Sequence, residues 1–503
     1  MDTVWIFMIL KCYLFIEITT ICNAETVISA LHHERLIYIE RELIQLVEKV
    51  LKDGNAEDAP DENTPRIRRF IDTVNEENTE AYNELPIYTH HPLNVLRIVH
   101  RLVNVWPQYT KNIKALSSCT SVISSTIDNL LGQITKDWLA KIAYSISKTK
   151  QLYNIELNSI IDGDVNGHIT SRKLGLDEYQ ILARAAHQKE DYAEAIEWYE
   201  ALLDAHRKSG VKFNTTKLLN TLSSCYIKNN RIQDATEAIQ AVLEVDPNNA
   251  RALSNEVYVA QLGTARSESG TPTAEKRDYK YEQLCSGNLK KPDTVQRKLK
   301  CYNKETGVFL RSKVEVVNRR PLVEIYHNVI DDHSLDELVN DSAKRLYGVI
   351  VDENGYTSDS FRAVYRANRF YTRLVTRPLF YATQQAKWLN QALLVTNYGI
   401  GGGEDPYVHL YQEDTLGLVI TRAIIFLNEV KDGGDFLLPM TETKITPKKG
   451  SVVIFKQTDK YGKIRKKTSV FAECPLIYGS KWVAWATFTE EPEKAPSRWS
   501  LWR

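Results

Sequence analysis

The sequence predicts an α + β multidomain chain, helical in its N-terminal half and all-β in its C-terminal half. Three observations carry this reading. Up to about residue 260 the apolar residues recur at three- and four-residue spacing, as one face of a helix requires. After Val314 the chain becomes a series of short β-branched and aromatic runs separated by turns. At 503 residues it is also too long for one hydrophobic core and calls for roughly three domains.

Composition narrows the partners. The 43% hydrophobic and 25% charged content is that of ordinary globular protein. Lys plus Arg and Asp plus Glu both number 64, so no excess charge points to nucleic acid or to an anionic membrane.

Residues 1–24 read as a signal peptide. Val4–Leu10 and Cys12–Ile21 are apolar, and Cys22-Asn23-Ala24 ends in the small residue a signal peptidase accepts. Asp2, Lys11 and Glu17 are atypical there, and a membrane anchor is the alternative. Neither apolar piece approaches the roughly 20 residues that span a bilayer, so no membrane span is expected. The expected location is the endoplasmic reticulum lumen or the secretory route. Cleavage after Ala24 leaves Cys119, Cys225, Cys285, Cys301 and Cys474, none in CxxC spacing, so zinc is not expected. Cys285 and Cys301 lie among polar residues and suit a local disulfide in an oxidising lumen. The odd count leaves a free thiol. The sequons Asn214-Thr215-Thr216 and Asn340-Asp341-Ser342 fit the same compartment.

Residues 25–165 form the expected helical dimerisation domain. Glu25–Asp53 is a long helix whose Leu36, Ile39, Leu43, Leu46 and Val50 follow the 3-4-3-4 seam of a coiled coil. A homodimer through this helix is expected; packing on its own domain is the alternative. Lys52-Asp53-Gly54 stops the helix and Glu57–Asn63 is an acidic loop. Helical spacing resumes from His91 to Asn154, and Tyr153–Gly167, with Asp-Gly and Asn-Gly turns, reads as a linker.

Residues 170–262 carry a weak internal repeat. Tyr192-Ala193-Glu194-Ala195-Ile196 is echoed by Ala235-Thr236-Glu237-Ala238-Ile239, and Asp246-Pro247-Asn248 closes the second unit. Alanine at a helix crossing and proline after the second helix is the tetratricopeptide pattern. Such pairs build a groove that receives extended peptides, or serve as a plain helical spacer. Residues 263–313 read as a polar linker around Cys285 and Cys301. From 314 to 490 the strand runs are Leu322–Tyr326, Ala363–Tyr371, Leu393–Tyr398, Tyr407–Tyr411, Ala423–Leu427, Ser451–Lys456 and Trp482–Phe488. These predict a sandwich or barrel, with helices Ser334–Leu346 and Gln384–Gln391 outside. Residues 491–503 are a tail.

Several ordered blocks then carry a family resemblance. Thr396-Asn397-Tyr398-Gly399-Ile400-Gly401-Gly402, Phe426–Gly434, Pro447-Lys448-Lys449-Gly450, and Cys474-Pro475 followed by Gly479-Ser480-Lys481-Trp482 are similar to the catalytic domain of collagen prolyl 4-hydroxylases. His91-Pro92-Leu93-Asn94, Tyr153-Asn154, the repeat pair and the Cys285/Cys301 segment stand in the order of that family's α subunit. The resemblance implies a double-stranded β-helix (jelly-roll) domain and procollagen-proline 4-dioxygenation with Fe(II), 2-oxoglutarate, O2 and ascorbate. It also implies a protein disulfide isomerase β subunit as partner and a proline-rich peptide ligand.

The residues depart from that chemistry. Ferrous iron in such enzymes is held by two imidazoles and a carboxylate with the opposite face open, and a His-x-Asp pair supplies two ligands from one side of a strand. Matched from the Asn-Tyr-Gly block, that pair falls on Tyr407 and His409; matched from Cys474, the distal histidine falls on Phe471. His409 is the last histidine, so a second imidazole would have to come from upstream, such as His327 or His333, with Glu404, Asp405, Glu413 or Asp414 as carboxylate. Tyr407, a phenol of ordinary pKa near 10, and Phe471, without a lone pair, make no ferrous site. Lys481 matches the lysine that pairs with the distal carboxylate of 2-oxoglutarate. In the peptide groove Tyr192 matches a family tyrosine, while Thr221 and Ser224 stand where aromatic residues are expected. The reading is therefore a non-catalytic, peptide- or subunit-binding relative with no cofactor bound. An active dioxygenase with a non-standard metal site, and an interaction protein without peptide binding, are the alternatives. The family's last cysteine has no counterpart near Trp499–Arg503, which leaves Cys474 as the expected free thiol.

Overall fold

In the computed structural model, which describes residues 29–53, 63–116, 119–209, 215–265, 279–307, 310–346, 362–383, 393–408 and 419–490, the change of periodicity is a change of architecture. The expected signal-peptide segment, Asn214, Gln384–Gln391, His409, Glu413, Asp414 and the expected tail lie outside the described residues. The chain divides into two compact units, Leu36–Arg277 and Met1–Arg35 with Asp278–Arg503.

In the first unit, helix α1 (Ala30–Asp53) carries the heptad stripe. Leu36, Ile39, Leu43 and Val50 are buried, but so are the adjoining Ile37, Ile44 and Val47. An apolar face that wide belongs to a helix packed in its own domain, not to a two-position seam. Helix α2 (Thr64–Asn83) lies against it, with Asn78 Nδ2 donating to Ile37 O at 3.0 Å and Arg68 Nη2 to Leu51 O at 3.3 Å. Arg101 clamps Glu40 of α1 at 2.9 and 2.7 Å. Four residues of the stripe are thus covered within one chain and Leu46 is half-buried.

The His-Pro-Leu-Asn block is a helix start. His91 Nδ1 accepts the Leu93 N–H at 3.2 Å, and Pro92 opens helix α3 (Pro92–His100). Helices α4 (Trp106–Ala115), α5 (Ser121–Gly132) and α6 (Lys136–Tyr153) follow. The expected linker Tyr153–Gly167 is ordered instead. It forms the short helix α7 (Leu157–Ile161) and enters a hairpin of β1 (Asp164–Val165) and β2 (His168–Ile169), tied back where His91 Nε2 donates to His168 O at 2.9 Å. The helix pairs are α8 (Leu176–Gln188) with α9 (Tyr192–Ser209) and α10 (Thr215–Lys228) with α11 (Ile232–Val245). A fifth helix, α12 (Ala250–Ala265), packs on the second pair. The echoing Ala195 and Ala238 are buried at the crossings.

The second unit is the β domain. Helices α13 (Tyr279–Cys285) and α14 (Asp293–Gln296) precede strands β3 (Cys301–Gly307), β4 (Leu310–Arg319) and β5 (Leu322–His327). Thus the segment read as a linker is largely structured from Tyr279 onward. After helix α15 (Asp332–Ala343) comes β6 (Arg362–Arg366), then helix α16 (Arg369–Thr383) in place of the second half of the expected strand Ala363–Tyr371. Asn368 makes that switch, its Oδ1 accepting the N–H groups of Phe370 and Tyr371 at 3.0 and 3.1 Å. The remaining strands are β7 (Leu394–Tyr398), β8 (Glu404–Val408), β9 (Val419–Phe426), β10 (Asp432–Gly433), β11 (Phe436–Leu438), β12 (Thr443–Ile445), β13 (Val452–Lys456), β14 (Val470–Glu473), β15 (Leu476–Tyr478) and β16 (Lys481–Glu490). Strand β8 begins earlier than the expected Tyr407–Tyr411.

Eight strands form one antiparallel sheet in the order β3-β4-β5-β13-β9-β16-β7-β6, and four form a second in the order β12-β11-β14-β8. Alternation assigns the two faces of the large sheet. Ala423, Ile425, Val452, Ile454, Ala484 and Ala486 pack with Leu335, Leu338, Val375 and Leu379 of the helices. Their neighbours Ile424, Phe426, Val453, Phe455 and Val483 pack with Phe436, Leu438 and Phe471 of the small sheet.

Cys285 is bonded to Cys474, with Cα atoms 5.6 Å apart, and not to Cys301. Cys301 opens β3 at the surface as a free thiol, while Cys285 ends a buried helix beside the strand that leads to Cys474. The expectations of a Cys285–Cys301 bridge and a free Cys474 are both corrected.

Candidate functional site

Of the matched ligand positions, Phe471 lies in the core between the two sheets. Phe471 of β14 pairs across the ladder with Tyr407 of β8, and two residues along, Glu473 pairs with Glu404. The two positions matched to metal ligands on separate strands are therefore cross-strand neighbours. No three His, Cys, Asp or Glu side chains converge among the described residues as a metal site would need.

Phe471 is buried and boxed in by aromatic rings. Trp485 stacks on it at 5.0 Å between centroids, Phe436 lies at 5.8 Å and Phe455 at 6.1 Å. The guanidinium of Arg422 sits 5.5 Å from its ring centre. A cation there meets the electron-rich ring face, which opposes binding of a second cation at the same place. These residues do not fit ferrous iron.

The upstream histidines do not repair the set. His327 Nε2 lies 3.1 Å from Glu315, and His333 lies 3.5 Å from Glu337 on the exposed face of α15. Both are surface pairs. Glu404 is buried on β8, and Asp405 is exposed.

Lys481, expected to face a co-substrate carboxylate, is fully buried and has a carboxylate from its own chain. Its Nζ donates to Glu473 Oε2 and to Gly434 O, both at 2.7 Å, and lies 5.2 Å from the centre of the Tyr398 ring. Glu473 is itself inaccessible. The approach of Gly434 depends on its neighbour Gly433, where φ is +76° and a Cβ would stand 2.5 Å from Pro475 O. A buried ion pair of this kind persists only with such extra hydrogen bonds, because both charges have left water. Glu473 escaped the sequence reading. Its signal was an acidic residue ending the apolar run Val470-Phe471-Ala472, on the same side of the strand as Phe471.

The groove residues lie in the first unit. Tyr192, half-buried, meets the His187 ring edge-on at 6.0 Å. Thr221 and Ser224 lie on the partly exposed side of α10, where Ser224 Oγ accepts from Arg251 of α12 at 3.2 Å.

Tetratricopeptide-type helix pairs, together with two facing antiparallel sheets, define a multidomain protein whose β part is of the jelly-roll class. Residues 29–167 match the family described as "Prolyl 4-Hydroxylase alpha-subunit, N-terminal region", and residues 179–208 and 216–249 match the tetratricopeptide repeat. The chain is 23% identical over 492 residues to "Prolyl 4-hydroxylase subunit alpha-1" of Rattus norvegicus, covering 89% of this chain and 90% of the relative. It is 22% identical over 455 residues to "Prolyl 4-hydroxylase subunit alpha-2" of Caenorhabditis elegans, covering 83% and 84%. Among solved structures it is similar to the viral collagen prolyl hydroxylase of Paramecium Bursaria Chlorella virus-1 in its 2OG complex. That match has 20% identity and a TM-score of 0.28, over 34% of this chain and 96% of the other. The N-terminal region thus matches the prolyl 4-hydroxylase α-subunit family, and the chain is similar to such α subunits over 83–90% of its length. None of its described helices is long and apolar enough to cross a membrane.

Proposed function

We propose that this chain is a non-catalytic α-subunit-like protein of the secretory pathway, acting by binding an extended peptide and a partner subunit of the disulfide isomerase class. The observation that carries the proposal is the filled interior. An aromatic box stands where a ligand is needed, and Glu473 holds the lysine matched to the co-substrate. A hydroxylase must leave one face of iron open and free a cation for the co-substrate. Here Phe471 offers no donor, and displacing Glu473 would strand a buried carboxylate. The helix pairs, with Tyr192 at one edge, supply the peptide-binding part of the reading.

The test is turnover. Purified full-length protein given Fe(II), 2-oxoglutarate, ascorbate and a (Pro-Pro-Gly)-type peptide is expected to release no peptide-dependent succinate and to retain no stoichiometric iron. Succinate release that requires the peptide and disappears in His409→Ala would overturn the proposal.

A further inference from the structure

The first helices of successive pairs each carry basic, amide or hydroxyl side chains at accessible positions, among exposed residues that also include Asp177 and Glu256. On α8 these side chains are Arg184 and His187, on α10 Lys217 and Ser224, and on α12 Arg251 and Asn255. Two contacts place parts of them together. Arg251 reaches Ser224 at 3.2 Å, and Asn255 Nδ2 reaches Ser223 and Ser224 at 3.2 and 3.4 Å. His187 also feels Arg251, which together with burial lowers its affinity for a proton. Arg184 and Arg251 both act on Tyr199 beneath them. Among the described residues no carboxylate pairs with Arg251, whose guanidinium is held toward Ser224 by a hydroxyl alone. Asp234 and Glu200 of the neighbouring helices are paired with Arg231.

We infer that this groove takes an extended peptide bearing carboxylate side chains, in preference to a neutral proline-rich one. Stacking surface is scarce there, since Thr221 and Ser224 offer hydroxyls where a polyproline ligand needs rings. What the groove offers instead is a fork of N–H donors on Arg251 beside the amide of Asn255, with Arg184 acting on the same Tyr199. Guanidinium and amide donors side by side match a carboxylate in geometry and in charge.

This inference rests on the peptide-binding reading above, and anisotropy with two labelled probes separates them. One is a (Pro-Pro-Gly)-type repeat, the other a (Pro-Glu-Gly)-type repeat of equal length, each titrated with the full chain. The acidic probe is expected to bind roughly tenfold tighter at low salt, the preference shrinking as salt rises. Arg251→Glu is expected to abolish the preference and Arg251→Lys to keep part of it. Because Arg251 is exposed, an unchanged melting temperature would show that these variants fold, and Lys217→Glu provides a second arm. Equal or tighter binding of the neutral repeat would overturn charge selectivity while leaving peptide binding intact. Binding of neither probe would sink both.

Discussion

At the scale of single residues, the decisive contacts are those of Phe471, Glu473 and Lys481. The Lys481–Glu473 pair is buried at both ends, 1% and 0% exposed, so removing one partner leaves the other charge without solvent or counter-ion. Glu473→Gln is expected to lower unfolding stability by about 3–5 kcal/mol in urea titration. The double change Glu473→Met with Lys481→Met is expected to recover most of that loss, since neither residue then needs solvation. A Glu473→Gln variant as stable as the parent would show that the pair does not matter. The match of Tyr407, His409 and Phe471 to ligand positions rests on counting from the Asn-Tyr-Gly block and from Cys474-Pro475. The lysine's partner was not legible in the sequence, because an ion pair between β14 and β16 depends on how the two sheets face each other.

At the scale of elements, His91 shows how a motif block can be structural. Its Nδ1 accepts the Leu93 N–H while Nε2 donates to His168 O, an arrangement open only to the neutral ring. Burial lowers its pKa from 6.5 to about 4. The unfolded chain therefore takes up the proton first as pH falls. The stability from the neutral ring is complete above about pH 6.5 and is lost progressively toward pH 4. Between pH 7.5 and pH 5 His91 should account for about 2 kcal/mol of lost stability. His91→Asn, which keeps a capping acceptor without titrating, should flatten that slope by the same amount in urea unfolding at the two pH values. Other lowered histidines, His32 and His33, titrate in the same window, so it is the difference between variant and parent that reports His91. Element type was legible wherever a period ran long, as in α1 or in β13 and β16. It failed at β6 and α16, where aromatic residues suit either state and one capping asparagine decides. On α1, heptad spacing does not distinguish a partner copy from the chain's own next helix.

At the scale of the whole molecule, the disulfide is the longest-range covalent feature of the β domain, joining residues 189 apart in sequence. Closing so long a loop restricts the unfolded chain strongly. Cys285→Ser is expected to lower stability by about 2–5 kcal/mol under oxidising conditions, whereas Cys301→Ser at an exposed site should change it by less than about 0.5 kcal/mol. Non-reducing peptide mapping should recover one cross-linked fragment holding Cys285 and Cys474. A fragment joining Cys285 to Cys301 would refute the pairing. Cysteine count and compartment could be read from the sequence, but connectivity could not, because local spacing says nothing of which distant strand a helix will meet.

On the proposed reading, the aromatic box around Phe471 also keeps a metal ligand out of that position. A single change back to histidine would set an imidazole among Phe436, Phe455 and Trp485, losing ring packing while leaving two nitrogens without partners, at about 1–3 kcal/mol for each stranded group. No metal would be gained in exchange while Tyr407 and His409 stand as they do. A change at Phe471 alone therefore crosses a less stable protein with no compensating chemistry, so on that reading the packing acts as a ratchet.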